Sequence, residues 1–330
     1  MPHHPPRVGL IGAGGISRVH VDGWLDLGVD VVVHSDEGAV ELAEQYGLTV
    51  AETLDGLLDG CDVVDICTPT PSHLAYVEAA LVAGRHVICE KPVSLDLARA
   101  ASLGDLASAR GLCLFPAQVV RWFPQYAAAK RAVDDGVVGD VAVLRFSRHG
   151  GFPTWSSWFG REAESGGIVA DQMTHDLDVA RWIAGEVVEV YATASGDGVT
   201  TAAAQVLLTH ESGAISAVNG LWGAPGTTFR TAFSIAGSGG VLEHDTHRDD
   251  SFRIETDATG RGPSDRPDSS FTESPYTHEL RDFLGAIRGG GAPRVTWADG
   301  VRAAELALAA NTSIRTGSPV ATPATRRTAA

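Results

Sequence analysis

Short apolar runs alternate with helix-like segments through the first 120 residues of the chain. The first four runs are rich in Val, Ile and Leu without polar alternation, which is typical of strands buried on both faces. The predicted strands are Arg7–Ile11, Val29–His34, Asp62–Thr68, His86–Cys89 and Leu112–Pro116. The predicted helices between them are Ser17–Leu27, Ala39–Tyr46, Pro71–Val82 and Leu95–Ala109. This alternation predicts an α/β domain with a doubly wound parallel sheet over residues 1–120.

The pattern changes after residue 120, where apolar and polar residues alternate as in strands with one buried face. The predicted strands are Asp140–Arg148, Val187–Thr193, Ala202–His210, Ala214–Trp222, Phe229–Ala236 and Gly240–His244. The predicted helices are Phe123–Asp135, Asp171–Ala184, Tyr276–Ile287 and Ala298–Thr316. Asp245–Pro275 is predicted as a loop with at most one strand, and Ser318–Ala330 as a frayed end. Successive strands joined by glycine-containing turns predict an α+β domain over residues 121–330, with a mostly antiparallel open sheet.

Charge and cysteine content narrow the function classes. The formal net charge is −16 without any Lys/Arg run, which excludes a nucleic-acid partner because phosphates would be repelled. No run approaches about 18 apolar residues, and no charged segment precedes an apolar one at the N-terminus, so neither a membrane span nor a signal peptide is expected. The four cysteines form no Cys-x-x-Cys pair. We therefore expect free thiols and a cytoplasmic location.

A glycine-rich turn directly follows the first predicted strand and opens the first predicted helix. Gly12 allows a tight turn, Gly14 allows close approach of a pyrophosphate, and Gly15 and Ile16 begin a helix whose N–H groups attract anions. The third position of the usual glycine pattern is Ser17. A Gly-x-Gly pair alone also fits an ordinary turn, but its place between a strand and a helix predicts a dinucleotide site.

The end of the second strand bears on the choice between NAD and NADP. Asp36 lies about 20 residues beyond the glycines, where a carboxylate binds the ribose hydroxyls and repels a 2′-phosphate. Glu37 could serve equally, and Asp36 could also be a solvated turn residue. No Arg follows nearby to bind a phosphate, so the sequence favours NAD, with NADP as the alternative.

Several motifs together carry a family resemblance. They are Thr68-Pro69-x-x-x-His73, Glu90-Lys91-Pro92, Ala117–Pro124, Ser165-Gly166-Gly167 and Asp171-x-x-x-His175-x-x-Asp178. In this combination the chain resembles the glucose–fructose oxidoreductase / inositol dehydrogenase / MocA (Gfo/Idh/MocA) family over nearly its whole length. The resemblance implies a Rossmann domain over residues 1–120, and a substrate-binding and oligomerisation α/β domain over residues 121–330. It also implies hydride transfer between a nicotinamide and a hydroxyl-bearing carbon.

The resemblance implies roles for individual residues. The residues expected to line the cofactor are Thr68, Pro69, His73, Glu90, Lys91 and Gln118. The residues expected at the substrate are Lys91, Asp171 and His175 and, by their side-chain chemistry alone, also Arg121 and Trp155. Trp155 offers an aromatic face to a sugar ring, although core packing is the other interpretation. Arg121 and also Arg148 could bind substrate or pair with acidic neighbours.

The residue chemistry supports a catalytic set of Lys91, Asp171 and His175. Asp171 and His175 are four residues apart, so on an α-helix they face the same side. A histidine held by a carboxylate can accept a hydroxyl proton, while Lys91 hydrogen-bonds the same oxygen. The chain has only two lysines among 25 basic residues, and an ammonium can exchange a proton where a guanidinium cannot. A structural histidine and a metal ligand are the alternatives, but no third ligand has a convincing spacing, so no metal is predicted.

The predicted function is that of an NAD(P)-dependent dehydrogenase acting on a sugar, a sugar derivative such as an aminosugar, or a cyclitol. Two alternatives are an NADPH-dependent ketoreductase of an activated keto-sugar and a non-catalytic nucleotide-binding sensor. The open sheet of the second domain would leave an apolar face, so a homodimer or homotetramer is expected.

Overall fold

The computed structural model describes residues 6–154, 156–197, 201–224, 226–248, 252–256 (backbone only) and 273–322. The chain forms two compact units, and each contains two stretches of sequence. The first unit comprises Met1–Trp122 and Phe271–Arg302, and the second comprises Phe123–Ser270 and Ala303–Ala330. A single boundary after residue 120 thus lies close to the first crossing between the units, but the sequence does not show that the chain returns to the first unit.

The regular elements are numbered along the chain. The strands are β1 Val8–Ile11, β2 Val31–His34, β3 Thr49–Val50, β4 Val63–Ile66, β5 His86–Glu90, β6 Leu114–Ala117, β7 Val141–Gly151, β8 Val187–Gly196, β9 Ala202–His210, β10 Ile215–Gly223, β11 Arg230–Gly237, β12 Gly240–Asp245, β13 Phe252–Thr256 and β14 Val320–Ala321. The α-helices are α1 Gly15–Asp26, α2 Ala39–Tyr46, α3 Leu54–Asp59, α4 His73–Val82, α5 Leu97–Ala109, α6 Pro124–Asp134, α7 Glu162–Ser165, α8 Thr174–Ala184, α9 Pro275–Ile287 and α10 Trp297–Thr316. Short 3₁₀ turns cover Thr70–Ser72, Val119–Trp122 and Ser157–Gly160, and Val169–Met173 is π-helical.

The first unit contains a six-stranded sheet in the order β3-β2-β1-β4-β5-β6, and every pair is parallel. This confirms the predicted doubly wound sheet. The strand order reverses between β1 and β4, so the turns that follow these two strands lie at the point where such sheets bind ligands. The sequence reading did not identify β3, which has only two residues, or α3, which has six.

Helix α9 belongs to the core of the first unit although it is distant in sequence. Phe283 stacks on Phe115 with ring centroids 4.7 Å apart and meets Trp122 edge-on at 5.6 Å. Leu280 lies so close to α1 that a Cβ added to Gly23 would be 2.9 Å from its Cδ1. Close approach at Gly23 therefore explains how α9 packs against α1.

The second unit contains an eight-stranded sheet in the order β13-β12-β11-β7-β10-β9-β8-β14. Only β7 and β10 pair in parallel among these strands, which confirms the mostly antiparallel sheet. On one face, Leu144 and Phe146 of β7 are buried, and Tyr126 of α6 packs against Phe233 with ring centroids 5.0 Å apart. On the other face, side chains such as Tyr191, Leu207 and Ile215 are 40–50% exposed.

Two predicted irregular segments contribute short strands. Asp245–Pro275 supplies β13, which pairs with β12, and residues 257–272 lie outside the described part. Ser318–Ala330 supplies β14, which pairs with β8, and residues 323–330 also lie outside it. No helix among the described residues combines the length and hydropathy needed to cross a membrane.

Candidate active site

The glycine turn after β1 has the geometry of an anion site. Gly12 has a φ of +110°, and a Cβ there would lie 2.6 Å from the carbonyl oxygen of Cys67, so only glycine fits. Gly14 is the N-cap of α1 without a side-chain cap, and added Cβ atoms on Gly14 and Gly15 would meet nothing within 4 Å. Ile16 follows in the first helical turn and is half-buried. The open backbone N–H groups of this 12-residue helix therefore fit a pyrophosphate.

The loop after β2 lies against this turn. Asp36 is exposed, and a Cβ added to the neighbouring Gly38 would lie 3.3 Å from Cβ of Ala13 in the glycine turn. Burial raises the pKa of Tyr76, and the charge of Asp36 raises it further, which places that carboxylate near the Tyr76 hydroxyl. Asp36 is thus next to the turn that would hold the pyrophosphate, as a ribose-binding carboxylate must be.

His73 connects two turns at the carboxyl ends of β4 and β5. Its Nε2 lies 2.8 Å from the carbonyl oxygen of Thr68, and its Nδ1 lies 3.0 Å from that of Pro92. Thr68 is half-buried and Pro69 exposed, whereas His73 is only 1% exposed. Burial lowers the pKa of His73, although both carbonyls oppose this shift. His73 therefore supports the Thr68–Pro69 turn from inside the unit.

Lys91 follows β5 directly, and its side chain is half-buried. Its backbone N–H donates to Oε2 of Glu90 over 2.9 Å, and the Lys91–Pro92 peptide bond is cis. Gln118, after β6, is 1% exposed, and neither polar atom of its amide has a hydrogen-bond partner among the described residues. A buried amide of this kind fits the carboxamide of a nicotinamide, which offers both a donor and an acceptor.

A buried charged group lies behind the Lys91 turn, and the sequence reading missed it. His20 Nδ1 is 2.8 Å from Asp65 Oδ2, and its Nε2 is 3.2 Å from Glu90 Oε1. Burial lowers the pKa of His20, but its interactions with Asp65 and Cys67 together outweigh burial and hold that pKa well above its usual range. The available signal was Asp65 in the otherwise apolar strand β4, because a buried carboxylate requires a partner.

His20, Asp65 and Cys67 are also the one group among the described residues whose ligand atoms are close enough for a metal ion, all within 4.8 Å. Burial and the charge of Asp65 raise the pKa of the Cys67 thiol to about 12. A metal binds the thiolate and the neutral imidazole, so it would have to displace a proton from both groups. We interpret these three residues as hydrogen-bonded side chains, with Asp65 accepting from both His20 and Cys67.

In the second unit, Asp171 and His175 lie where two kinds of helix meet. Asp171 is in the π-helical turn Val169–Met173 and His175 is the second residue of α8, so the continuous α-helix predicted from Asp171 to Ala184 is wrong at its start. Both residues are half-buried between buried neighbours. Such π turns occur often at functional sites.

The π-helical turn packs tightly against the sheet. A Cβ added to Gly220 of β10 would lie 2.5 Å from Cγ and Sδ of Met173, so glycine is required for this approach. Gln172 donates from its Nε2 to the carbonyl oxygen of Arg148 over 2.8 Å. These contacts of Gln172 and Met173 hold the backbone that directly follows Asp171.

The two arginines considered for substrate binding are buried. Arg148 donates two hydrogen bonds of 2.8 Å to the carboxylate of Asp176, which confirms pairing with an acidic neighbour. Arg121 is 2% exposed, donates to the carbonyl oxygen of Arg294 over 3.0 Å and lies 3.6 Å from Asp299. This burial favours a structural role for Arg121 over the alternative of substrate binding.

The aromatic loop before α7 is described only in part. Trp155, expected at the substrate, lies outside the described residues. Trp158 and Phe159 stack with centroids 4.2 Å apart, and Phe159 meets Trp222 edge-on at 6.4 Å. The expected site residues otherwise form two groups: the glycine turn, Asp36, Thr68, His73, Glu90, Lys91 and Gln118 in the first unit, and Asp171 and His175 in the second.

Known proteins resemble both parts of the chain. Residues 6–118 match the model of an oxidoreductase family with an NAD-binding Rossmann fold. Residues 126–243 match the model of the GFO/IDH/MocA C-terminal domain. The two matches together span well over half of the chain.

Individual relatives agree with these matches. Inositol 2-dehydrogenase of Rhizobium meliloti (strain 1021) is 31% identical, over 93% of this chain and 96% of the relative. D-apiose dehydrogenase of Paraburkholderia graminis is 29% identical, over 94% of this chain and 88% of the relative. The crystal structure of GenD2, from gentamicin A biosynthesis, in complex with NAD has a TM-score of 0.84 at 25% identity and covers 98% of this chain and 97% of its own. The chain therefore belongs to the Gfo/Idh/MocA family of NAD-binding oxidoreductases.

Proposed function

We propose that the protein is an NAD-dependent dehydrogenase that oxidises a secondary alcohol of a sugar, a sugar derivative such as an aminosugar, or a cyclitol. One observation carries this proposal. The chain keeps the NAD-binding glycine turn together with Lys91, Asp171 and His175, and it matches a dehydrogenase named for inositol over 93% of its length. A cyclitol and the sugar apiose, named in the two relatives, share the secondary alcohols that such chemistry requires.

The proposed roles follow from the chemistry of oxidising an alcohol. His175 accepts the hydroxyl proton, and Asp171 orients its imidazole. The ammonium of Lys91 donates a hydrogen bond to the same oxygen and stabilises the negative charge that develops there. NAD, when bound, accepts the hydride from the carbon, and the product is a ketone. The proton thus ends on His175 and the hydride on the cofactor, so the step balances without a metal.

The preference for NAD rests on Asp36. This exposed carboxylate lies beside the glycine turn, where it would accept hydrogen bonds from ribose hydroxyls and repel a 2′-phosphate. An NADPH-dependent ketoreductase would need a cation at this place. The loop from residue 35 to residue 38 supplies none.

A substrate screen tests the proposed function. Purified protein with NAD⁺ or NADP⁺ is tested against sugars, aminosugars and cyclitols, and NADH or NADPH formation is followed by absorbance. We expect NAD⁺ reduction with at least one polyhydroxylated substrate and weaker reduction of NADP⁺. Cofactor binding without turnover on any substrate would instead indicate a nucleotide-binding sensor, and turnover of keto-sugars with NADPH alone would indicate the ketoreductase.

We also propose that the protein is a homodimer or homotetramer, associated through the exposed face of the second sheet. Tyr191, Leu207 and Ile215 on this face are 40–50% exposed. Tyr191 pairs with Leu207 across β8 and β9, and Ile215 of β10 pairs with Val143 of β7. The apolar positions thus cross four adjacent strands, and association would remove them from water.

Light scattering tests the assembly. We expect a dimer or tetramer at micromolar concentration, and Leu207→Glu should shift it towards the monomer. Val82→Glu, a matched change at a 58% exposed valine of α4 in the first unit, should leave the assembly intact. A monomeric wild type would contradict this proposal.

We also propose a cytoplasmic location for the protein, where its free cysteines would stay reduced.

A further inference from the structure

A cluster of ionisable side chains is buried in the first unit, directly behind the turn that carries Lys91. We call it the buried charge cluster and define it as His20 of α1, Asp65 of β4, Glu90 of β5 and Glu279 of α9. His20, Asp65 and Glu279 are fully buried and Glu90 is 6% exposed. Burying so many ionisable groups is costly unless they are paired, and the proposed chemistry does not use His20, Asp65 or Glu279.

Hydrogen bonds connect this cluster to the backbone of Lys91. Trp24 donates from Nε1 to Asp65 Oδ2 over 2.7 Å, and the same oxygen accepts from His20 Nδ1 over 2.8 Å. His20 Nε2 then lies 3.2 Å from Glu90 Oε1. The other oxygen of Glu90 accepts the backbone N–H of Lys91 over 2.9 Å. One continuous chain therefore runs from the interior of β4 to the residue proposed to contact the substrate.

The geometry fixes the charge of the central histidine. Both ring nitrogens of His20 face carboxylate oxygens, so both must carry a proton to donate. Burial raises the pKa of Glu90, but the hydrogen bonds and charges of His20 and Lys91 together outweigh burial and bring that pKa below its usual value. Burial, with Glu90 and Asp65, raises the pKa of Glu279 well above its usual range against the effect of His20. The cluster thus holds a cation between two anions, beside a neutral acid.

We infer that His20 is a positioning residue for the dehydrogenation: by holding the Glu90 carboxylate against Asp65, it fixes the backbone of Lys91 and so the place from which the ammonium reaches the substrate. This inference rests on the proposed function. Without the imidazolium, two buried carboxylates would lose their shared cation, and Glu90 would take up a proton or turn away. Either change loosens its hydrogen bond to Lys91, and misplacement by about 1 Å can cost about 100-fold in rate.

The test compares His20→Gln and Asp65→Asn with a control that is equally buried. His210 of the second unit is 1% exposed and has two hydrogen-bond partners, the carbonyl of Gly185 and the hydroxyl of Ser216. His210→Gln should lower the melting temperature but leave kcat within about twofold. His20→Gln should lower kcat by about 10- to 100-fold at a temperature where it is folded, with KM for NAD within about threefold. Asp65→Asn should lower kcat by about tenfold.

A double variant of His20 and Glu90 distinguishes a role in positioning Lys91 from a role in stability alone. If they act as one chain, the double variant His20→Gln/Glu90→Gln should lose no more kcat than the worse single variant. Folded His20→Gln with kcat within twofold of the wild type would overturn the inference, as would multiplicative losses in the double variant. If His20→Gln does not fold, Asp65→Asn decides by the same criterion. An inactive wild type would overturn the proposed function as well, whereas an active wild type with active variants overturns only this inference.

Discussion

Each of the two units holds one proposed catalytic residue next in sequence to a buried carboxylate. In the first unit Glu90 precedes Lys91 and contacts His20, and in the second unit Asp176 follows His175 and contacts Arg148. The arrangement is similar, but the cation differs. Arg148 makes two hydrogen bonds to one carboxylate, whereas His20 is shared between two carboxylates.

Because of this difference, the charge of the Arg148–Asp176 pair is independent of pH, whereas the charge of His20 can change with pH. A guanidinium remains charged at every relevant pH, so Arg148 keeps its charge beside Asp176. An imidazolium can lose its proton, and Glu279 beside it is a neutral acid that can also lose one. The contact between His20 and Glu90, which precedes Lys91, should therefore depend on pH. The contact between Arg148 and Asp176, which follows His175, should not.

The largest expected effect is on turnover in variants of the proposed catalytic residues. His175→Ala should lower kcat by about 10²–10⁴-fold, the usual range for loss of a general base. Lys91→Arg keeps the charge but replaces a compact ammonium with a planar group that cannot exchange a proton, so most activity should be lost. Turnover at saturating substrate is the measurement, and cofactor binding is checked by fluorescence.

The cofactor provides the control for these variants. NAD should bind His175→Ala almost as it binds the wild type, because the dinucleotide is expected on the Gly12–Ser17 turn. Asp171→Asn should reduce turnover less than His175→Ala, since it only leaves the imidazole less well oriented. Near-normal turnover in both Lys91→Arg and His175→Ala would show that these residues are structural here.

The second prediction concerns the buried ion pair between Arg148 and Asp176. Arg148→Met leaves Asp176 buried without its cation and should lower the free energy of unfolding by about 3–5 kcal/mol. The double variant Arg148→Met/Asp176→Leu should recover much of that loss, because no buried charge remains. Urea unfolding measures both. Arg230→Met, which removes an arginine 41% exposed and paired with Asp245, should have a much smaller effect, and an equal loss there would contradict the comparison.

The sequence predicts local elements in both units and misses what depends on distant contacts; β9 of the second unit, for example, has its predicted bounds Ala202–His210. Buried parallel strands and a glycine turn leave clear local signals, and the observed β2, β4 and α1 agree with their predicted ranges to within about two residues at most ends. The return of α9 to the first unit, the π-helical turn and the His20–Asp65–Glu90 chain depend on contacts between distant residues. Asp171 and His175 are both half-buried, but a sequence cannot show that a π-helical turn, and not the predicted α-helix, contains Asp171.

The third prediction is a pH dependence of stability that comes from the first unit. The pKa of His20 in the fold lies well above 6.5, so its stabilisation is complete below that pH and is lost as the pH rises. The pKa of Glu279 is raised above 4.5, so its contribution is also lost as the pH rises. Above pH 6.5 both groups lower the free energy of unfolding as the pH rises, each by up to about 1.4 kcal/mol per pH unit.

Urea unfolding between pH 6 and pH 9 checks this prediction. The free energy of unfolding should fall as the pH rises, and Glu279→Gln should reduce the slope because it removes one of the two titrating groups. Arg148→Met/Asp176→Leu should keep the slope of the wild type. A free energy that rises over this range, or an unchanged slope in Glu279→Gln, would contradict the assignment of a titrating support.

The smallest expected effect concerns cofactor choice. Asp36→Ser removes the charge that would repel a 2′-phosphate and should raise kcat/KM with NADP⁺ relative to NAD⁺ by about tenfold, equivalent to about 1.4 kcal/mol. Steady-state kinetics with both cofactors measure the ratio. Glu37→Ser changes the other carboxylate of this exposed loop that could bind the ribose, and it should change the ratio less if Asp36 is the residue that does. A wild type that strongly prefers NADP⁺ would show that Asp36 does not bind the ribose.

The central claim is that a hydride leaves a hydroxyl-bearing carbon of the substrate for NAD. The most direct measurement uses a substrate found in the screen, deuterated at that carbon, and determines the mass of the reduced cofactor. The account predicts NADH that is one mass unit heavier, formed more slowly than from the unlabelled substrate and at a rate that falls about 10²–10⁴-fold in His175→Ala. Unlabelled NADH would contradict direct hydride transfer from that carbon. No NADH from any sugar or cyclitol, with NAD bound, would contradict the proposed function itself.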